Sequence, residues 1–176
     1  DKVLVLEDAL SRLASGENDA LAVIYDNCRV SVYGFALSIL KNSHDAEDVM
    51  QDAFVKVFSE AGRYQPQGKP LAWILTITRN LCLHRLRQTS RLLEHEEDWE
   101  RHADSVVEGK NLLNSLVLRE AMTSLSDEER QIVVLHALSN MKHRQIAEVM
   151  GMPLPTVLSK YSRAMKKLRN RLQGED

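Results

Sequence analysis

The sequence contains few residues that interrupt helices and few aromatic residues. Among 176 residues there are seven glycines and four prolines, and aromatic residues make up 5% of the chain. Together with an apolar content of 44%, this scarcity of glycine and proline favours an all-α fold. It argues against sandwiches and barrels, whose many short strands are joined by turns rich in these residues.

Long apolar runs and a disulfide framework are also missing. No apolar run approaches the ~18 residues that a membrane-spanning helix needs. The opening residues 1–8 lack the basic segment and cleavage site of a signal peptide. The two cysteines, Cys28 and Cys82, lie in apolar helical patterns, which argues against a disulfide between them. We therefore expect a cytoplasmic protein that is not embedded in a membrane.

A formal net charge of −2 hides a very uneven distribution of charge. Residues 69–91 hold five basic residues and no acid, and residues 142–171 hold eight basic residues against one acid. Between them, residues 92–108 hold seven acids against one arginine. The pattern indicates two cationic modules that bind a polyanion and are joined to each other by an acidic linker. Solvated helix faces would give the same charge pattern, so charge alone leaves both readings open.

Apolar residues recur at helical spacing along most of the chain. The pattern predicts helices over 5–15, from about 18 to 41, over 45–60 and from about 71 to 89, with a loop at 62–70. Asn18 or Asp19 is expected to cap the second helix. The third is expected to bury one face, formed by Ala46, Val49, Met50, Ala53, Phe54, Val57 and Phe58. A second helical set begins near residue 112, and Ser126 with Glu129 fits a capping box for a helix ending near Ser139.

Residues 141–172 have the pattern of a helix-turn-helix. A short helix over 143–150 is followed by a turn and by a second helix over 156–172. Ala147 would allow a close helix crossing, Gly151 would relieve a positive φ in the turn, and Val157 would dock the second helix. The polar and cationic residues of that helix suit phosphates and base edges. The alternative is an ordinary pair of antiparallel helices with a soluble face.

The sequence offers no catalytic or metal-binding pattern. His95 and Glu96 begin like a zinc-protease motif, but Trp99 stands where the second histidine is required. No Cys/His cluster, Ser/His/Asp pattern or glycine-rich phosphate loop appears. We expect no enzyme activity, no cofactor, no metal and no small-molecule substrate.

Four stretches, taken in order, resemble extracytoplasmic-function sigma factors of bacterial RNA polymerase. These are DAEDVMQDAF at 45–54, AWILTITRNL at 72–81, LSDEER at 125–130 and IAEVMGMP at 146–153. The resemblance covers about residues 18–173. It implies a region 2-like domain over 1–90, an acidic linker over 91–111 and a region 4-like domain with the helix-turn-helix over 112–176.

The resemblance also implies roles for individual residues. Core polymerase would contact Asp48, Gln51 and Asp52. The unpaired −10 promoter element would contact Arg63, Tyr64, Gln65, Arg79 and Asn80. The −35 duplex would contact Thr156, Leu158, Ser159, Lys160, Ser162, Arg163 and Lys166.

The partners implied by the resemblance are core RNA polymerase, promoter DNA and an anti-sigma factor. Three residues depart from the family pattern: His84 replaces an acid, Pro155 a glycine, and Leu158 a basic residue. Leu158 would favour contact with a thymine methyl group over a phosphate or guanine. The alternative function is a dimeric helix-turn-helix repressor that binds a palindrome without polymerase; the basic helix at 71–89 argues against it.

Overall fold

The computed structural model describes residues 1–90 and 120–174, and all regular elements in these two ranges are helical. The elements are α1 (Lys2–Ala14), α2 (Ala20–Leu40), α3 (Ser43–Glu60), a 3₁₀ turn (Ala61–Arg63), α4 (Pro70–Thr89), α5 (Asp127–Ser139), α6 (His143–Met150) and α7 (Leu154–Leu172). The expected all-α fold with a C-terminal helix-turn-helix is therefore confirmed. The expected linker at 91–111 lies outside the described residues.

The first unit is built around α2, which packs against α1, α3 and α4. One stripe of α1, formed by Leu6, Leu10 and Leu13, is buried against it. From Ser31 to Ile39, α2 is buried on every side. This stretch contains no charged residue, so it can be surrounded by other helices without burying an unpaired charge.

A side chain caps α3, but none caps α2. Asn42 caps α3 by accepting a hydrogen bond from the Asp45 amide at 2.9 Å. Asp19 precedes α2 but makes no side-chain cap, because its backbone is already helical. A short turn satisfies the first amides instead, with the Ala20 amide donating to the Glu17 carbonyl oxygen at 3.1 Å. The prediction of a side-chain cap at Asn18 or Asp19 is therefore wrong.

One residue of α3 departs from its predicted face. Ala46, Val49, Ala53, Phe54 and Val57 are buried as expected. Phe58 is instead 44% exposed. The prediction that Phe58 is buried is therefore wrong.

The second unit begins with residues 120–123, which are helical, and continues through α5, α6 and α7. The capping box is present: the Glu129 amide donates to Ser126 Oγ at 3.2 Å, and the Ser126 amide donates to Glu129 Oε1 at 2.8 Å. Gly151 ends α6 at φ +62° and starts the turn to α7. This positive φ confirms the reason for expecting glycine there.

The two units pack against each other through a continuous apolar core. Helix α5 lies against α2, and α6 lies against α4. Ile132, Leu135 and Ile146 from the second unit join the core cluster of α1–α4. Polar contacts add to it: Arg130 Nε donates to the Ser38 carbonyl oxygen at 3.3 Å, and Ser31 Oγ donates to that of Leu138 at 3.4 Å. Helix α5 therefore covers the side of α2 that the first unit leaves open.

Candidate nucleic-acid interface

The loop between α3 and α4 forms one wall of a cleft of about 320 Å³. The loop leaves the 3₁₀ turn at Tyr64, passes Gly68 at φ +73°, and enters α4 at Pro70, the first helical position. Proline is favoured there because its missing N–H has no helical partner. The cleft is lined by Arg63, Tyr64, Gln65, Gln67, Lys69, Ala72, Trp73, Thr76 and Glu148. Three of the predicted −10 residues, Arg63, Tyr64 and Gln65, therefore lie together.

The aromatic side of the cleft is a pair of rings. Tyr64 and Trp73 have ring centroids 5.1 Å apart and planes tilted by 52°. The Tyr64 hydroxyl donates a hydrogen bond to the Glu7 carboxylate. Burial, then the hydrogen bond to Glu7 and its charge, raise the pKa of Tyr64 to about 12. The ring is therefore neutral at physiological pH and is held in place from outside the loop.

The other two predicted −10 residues lie outside this cleft. Asn80 is exposed on α4, and Arg79 is half-buried beside it. A Cβ atom added at Gly151 would lie 3.9 Å from Arg79 Nη1, so the arginine adjoins the turn of the helix-turn-helix. The structure thus divides the predicted −10 residues between the cleft and the junction of the two units.

The polar face of α3 is only partly free. Gln51 and Asp52 are exposed, whereas Asp48 Oδ2 accepts a hydrogen bond from Arg85 Nη2 at 3.2 Å. The same arginine nitrogen donates to Asp45 Oδ1 at 2.8 Å, so Asp48 belongs to a bridge between α3 and α4.

Two exposed apolar residues of α3 lie on the same helix face as Gln51. Val55 is 67% exposed and Phe58 is 44% exposed. Val55 follows Gln51 by four positions and Phe58 follows Val55 by three, so all lie on one helix face. Neighbouring exposed apolar side chains are candidates for a protein-binding surface. Sequence reasoning missed them, although the helical spacing from Gln51 was available as a signal.

The outer face of α7 carries most of the predicted −35 residues. Leu158, Ser159, Ser162 and Arg163 line a shallow open hollow and are exposed. Lys166 is exposed as well, and Thr156 is half-buried near the start of the helix. The opposite side of α7 buries Val157, Ala164 and Leu168. This division matches the predicted inner and outer faces of the second helix.

Ion pairs fasten α7 to α5. Lys160 Nζ lies 3.1 Å from Glu128 Oε2, and Lys167 Nζ donates to Glu129 Oε1 at 2.7 Å. Burial alone would raise the pKa of Glu129, but the hydrogen bonds from Lys167 and Ser126 outweigh it and lower this pKa. Lys160 is thus turned toward α5, away from the hollow lined by Arg163.

The second unit also reaches the cleft of the first. Lys69 Nζ donates to Glu148 Oε1 at 2.8 Å, which places a carboxylate of α6 in the cleft lining. Lys41 Nζ lies 3.0 Å from Asp127 Oδ1 and makes a second ion pair between the units. Glu148 and Glu7 were not found by sequence reasoning. Each lies more than 50 positions from its partner, so no local pattern signals them.

The described residues contain no group of three or more His, Cys, Asp or Glu side chains that could hold a metal ion. Burial raises the pKa of Cys28 and of Cys82 to about 12, so both thiols remain protonated. His95 and His102 lie outside the described residues. In the part of the chain that the structure describes, no helix is both long and apolar enough to cross a bilayer.

Two family models match the chain, one on each unit. Sigma-70 region 2 matches residues 24–92, and Sigma-70 region 4 matches residues 115–168. Similar proteins include the ECF RNA polymerase sigma factor SigK of Mycobacterium sp. (strain KMS), 28% identical over 94% of this chain and 89% of that protein. SigW of Bacillus subtilis (strain 168) is 24% identical over 97% of this chain and 98% of its own length. SigE of Mycolicibacterium smegmatis is 32% identical over 80% of this chain and 57% of SigE.

Solved structures share the fold. CnrH, determined in complex with the cytosolic domain of CnrY, superposes with a TM-score of 0.70 at 22% identity, covering 98% of this chain and 99% of CnrH. The sigma factor RpoE of Bartonella quintana, in complex with the anti-sigma factor NepR, superposes with a TM-score of 0.66 at 22% identity. That match covers 84% of this chain and 94% of RpoE.

Proposed function

The chain belongs to the extracytoplasmic-function sigma factors, a family of transcription regulators, and on this premise we propose that it binds bacterial core RNA polymerase and directs it to promoters. Residues 1–90 form the region 2-like domain, 91–111 the linker and 112–176 the region 4-like domain. The observation that carries the proposal is that the two family-model matches fall, in order, on the unit with the aromatic cleft and the unit with the helix-turn-helix.

Core polymerase docks on the exposed face of α3. Asp52 and Gln51 accept hydrogen bonds from partner arginines, and the apolar Val55 and Phe58 bury surface beside them. Asp48 contributes its charge while it stays bridged to Arg85. The combination of an apolar patch with flanking carboxylates supports a protein partner better than a nucleic acid, which the carboxylates would repel.

The cleft beside Tyr64 captures an unpaired base of the −10 element. A tyrosine next to a tryptophan offers a stacking surface, and Arg63 and Gln65 at the rim supply a cation and an amide. Binding only to the unpaired base draws the equilibrium toward the open duplex, because a ligand shifts a population by its difference in affinity for the two states. Arg79 and Asn80 bind the backbone and bases that follow.

The outer face of α7 reads the −35 duplex. Arg163 and Lys166 contact phosphates or guanine. The hydroxyl groups of Thr156, Ser159 and Ser162 donate hydrogen bonds to the DNA. Leu158 contacts a thymine methyl group. Lys160 contributes positive potential near the DNA while it holds the helix against Glu128.

The packed arrangement of the two units represents the inactive chain. Glu148 occupies the cleft wall that receives the −10 base, and Arg79 adjoins the turn before α7. An anti-sigma factor stabilises a state in which these surfaces are inaccessible. The solved complexes of CnrH with CnrY and of RpoE with NepR support this partner class.

No covalent step is assigned to the chain, and no cofactor or substrate is required. Affinity comes from phosphates and selectivity from bases. The dimeric repressor has no support from the two family-model matches, since both describe sigma regions.

The test is run-off transcription with purified bacterial core enzyme, this chain and a randomised promoter library. We expect transcripts that start downstream of an enriched pair of −35 and −10 elements, and none with core enzyme alone. Failure of the chain to bind core enzyme, or transcripts without an enriched element, would refute the proposal. A dimer that binds a palindrome tightly without polymerase would support the repressor.

A further inference from the structure

Glu7, on α1, holds both ends of the loop that forms the cleft wall. Its carboxylate accepts the hydrogen bond from the Tyr64 hydroxyl, and its Oε1 also accepts from the Gly68 amide at 3.2 Å. Tyr64 begins the six-residue stretch 64–69, which has no regular structure, and Gly68 is its second-to-last residue. The same carboxylate therefore ties the start and the end of the loop to α1, more than 50 positions away in the chain.

Helix α1 gives this carboxylate a firm base. Leu6 and Leu10, on either side of Glu7 along the helix, are 1% exposed in the core. The backbone of α1 at Glu7 cannot move far without shifting these buried residues, because protein cores are packed as densely as organic crystals. Hydrogen bonds to an ionised acceptor are also stronger than those between neutral groups. The loop is thus fixed to a helix whose neighbouring residues are anchored in the core of the first unit.

We propose that Glu7 is a positioning residue for capture of the −10 base. Its carboxylate holds the Tyr64 ring beside Trp73 and closes the loop, so that the cleft is formed before DNA arrives. This inference rests on the proposed function. A ring that is already ordered loses less conformational freedom when a base stacks on it, and this preorganisation increases affinity for the unpaired base alone. Glu7 itself touches no DNA.

The proposal predicts a specific kinetic defect. Holoenzyme carrying Glu7→Ala should open a promoter from the selected library about tenfold more slowly, the size expected when one side chain must be ordered on binding. Formation of the closed complex should be unchanged, because duplex DNA does not enter the cleft. Glu7→Gln should restore most of the rate, since the amide oxygen still accepts from both Tyr64 and Gly68.

Two further variants test the route through Tyr64. Tyr64→Phe keeps the ring but removes the hydroxyl, and it should slow opening by a smaller factor than Glu7→Ala because the Gly68 bond remains. The double variant Glu7→Ala/Tyr64→Phe should be no slower than Glu7→Ala, since the second change removes a bond already lost. Asp8→Ala is the matched control: it is the next residue of α1, exposed, and pairs only weakly with Arg12 at 3.7 Å.

Opening is measured by the rate at which −10 thymines become reactive to permanganate, and closed-complex formation by a mobility shift in the cold. The proposal would be overturned if Glu7→Ala opened the promoter as fast as Asp8→Ala. It would also be overturned if Glu7→Ala lost as much affinity in the closed complex as it lost in opening rate, or if Glu7→Gln failed to restore the opening rate. Should Glu7→Ala melt at a lower temperature, Glu7→Gln and Tyr64→Phe decide the outcome. Failure of the wild-type holoenzyme to open any promoter would instead refute the proposed function.

Discussion

Removing the charge of Asp127 should loosen the packing of the two units by an amount that the structure allows to be calculated. Asp127 is the first residue of α5, and its Oδ1 lies 3.0 Å from Lys41 Nζ at the end of α2. The same oxygen accepts a hydrogen bond from Arg130 Nη2 at 2.6 Å. Arg130 is 6% exposed and also bonds the Ser38 carbonyl oxygen across the interface. Asp127→Asn keeps the shape of the side chain and removes the charge shared by these contacts.

The expected loss of stability is about 1–2 kcal/mol. The Asp127 side chain is 64% exposed, so its pair with Lys41 is screened by water and contributes about 0.5–1 kcal/mol. The amide oxygen introduced by Asp127→Asn still accepts from the nearly buried Arg130, so that contact loses only the part that the charge adds, about 0.5–1 kcal/mol. For a chain of 150–250 residues, each kcal/mol shifts the melting temperature by roughly 2–4 °C. Asp127→Asn should therefore melt about 2–8 °C lower at pH 7.

The pH dependence has a defined sign. Burial by itself would raise the pKa of Asp127, but hydrogen bonds from Lys41 and Arg130 outweigh it and lower the pKa in the folded chain. A carboxylate with a lowered folded pKa stabilises the fold fully above its unfolded pKa of about 3.9, and this contribution is lost as the pH falls through the folded value. The difference between Asp127→Asn and the wild type should therefore be constant from pH 7 to about pH 5 and shrink below that.

Thermal melts followed by circular dichroism at a series of pH values give the comparison. Glu128→Gln is the matched control, since Glu128 lies in the same first turn but pairs with Lys160 inside the second unit at 3.1 Å. Its shift should be smaller, within about 1 kcal/mol, as expected for an exposed pair. A melting temperature of Asp127→Asn equal to that of Glu128→Gln, or a difference that grows as the pH falls, would refute the reasoning.

Three other changes test separate surfaces. Asp52→Lys combined with Gln51→Ala should weaken capture of core polymerase at least about tenfold without changing the melting temperature, because charge reversal repels partner arginines. Asp8→Lys is the control. If the double variant and the control capture equal amounts of core polymerase, α3 is rejected as the docking face. Arg163→Ala should reduce run-off transcription by about 5- to 150-fold, the range for one base contact, and a wild-type chain indifferent to a scrambled −35 element would contradict the assignment. Ser126→Ala should lower the free energy of unfolding by about 1 kcal/mol through loss of the capping box, measured by urea titration, and an unchanged midpoint would count against it.

Local interactions explain why much of the fold could be predicted. The capping box at Ser126 and the glycine turn at Gly151 depend on neighbours within four residues. Such features carry their physical reason in the sequence itself. The outer and inner faces of α7 follow from helical spacing alone, and the structure places Arg163 and Val157 on opposite sides as predicted.

Non-local packing explains what could not be predicted. The pattern of α2 indicates a helix with one buried face, yet Ser31 to Ile39 are buried all round because α5 covers the second side. The absence of charge in this stretch was the available signal. Glu7 and Glu148 carry no such signal: each is an ordinary acid on a helix whose role depends on a partner brought near by tertiary folding.

The closed packing sets a condition on any partner that activates the chain. Lys69 is bonded to Glu148, and Ile132 and Leu135 lie in the shared core, so separation of the units exposes apolar surface and breaks ion pairs together. A partner can shift this equilibrium only by the difference between its affinities for the open and closed states. On the proposed function, Glu148 of the second unit lines the cleft that would receive the −10 base, so promoter DNA would gain little from the closed state. On the same proposal, core polymerase would dock on the face of α3 that carries Gln51 and Asp52, which is exposed even in the closed state, so it would be the partner able to bind first and supply the free energy of opening.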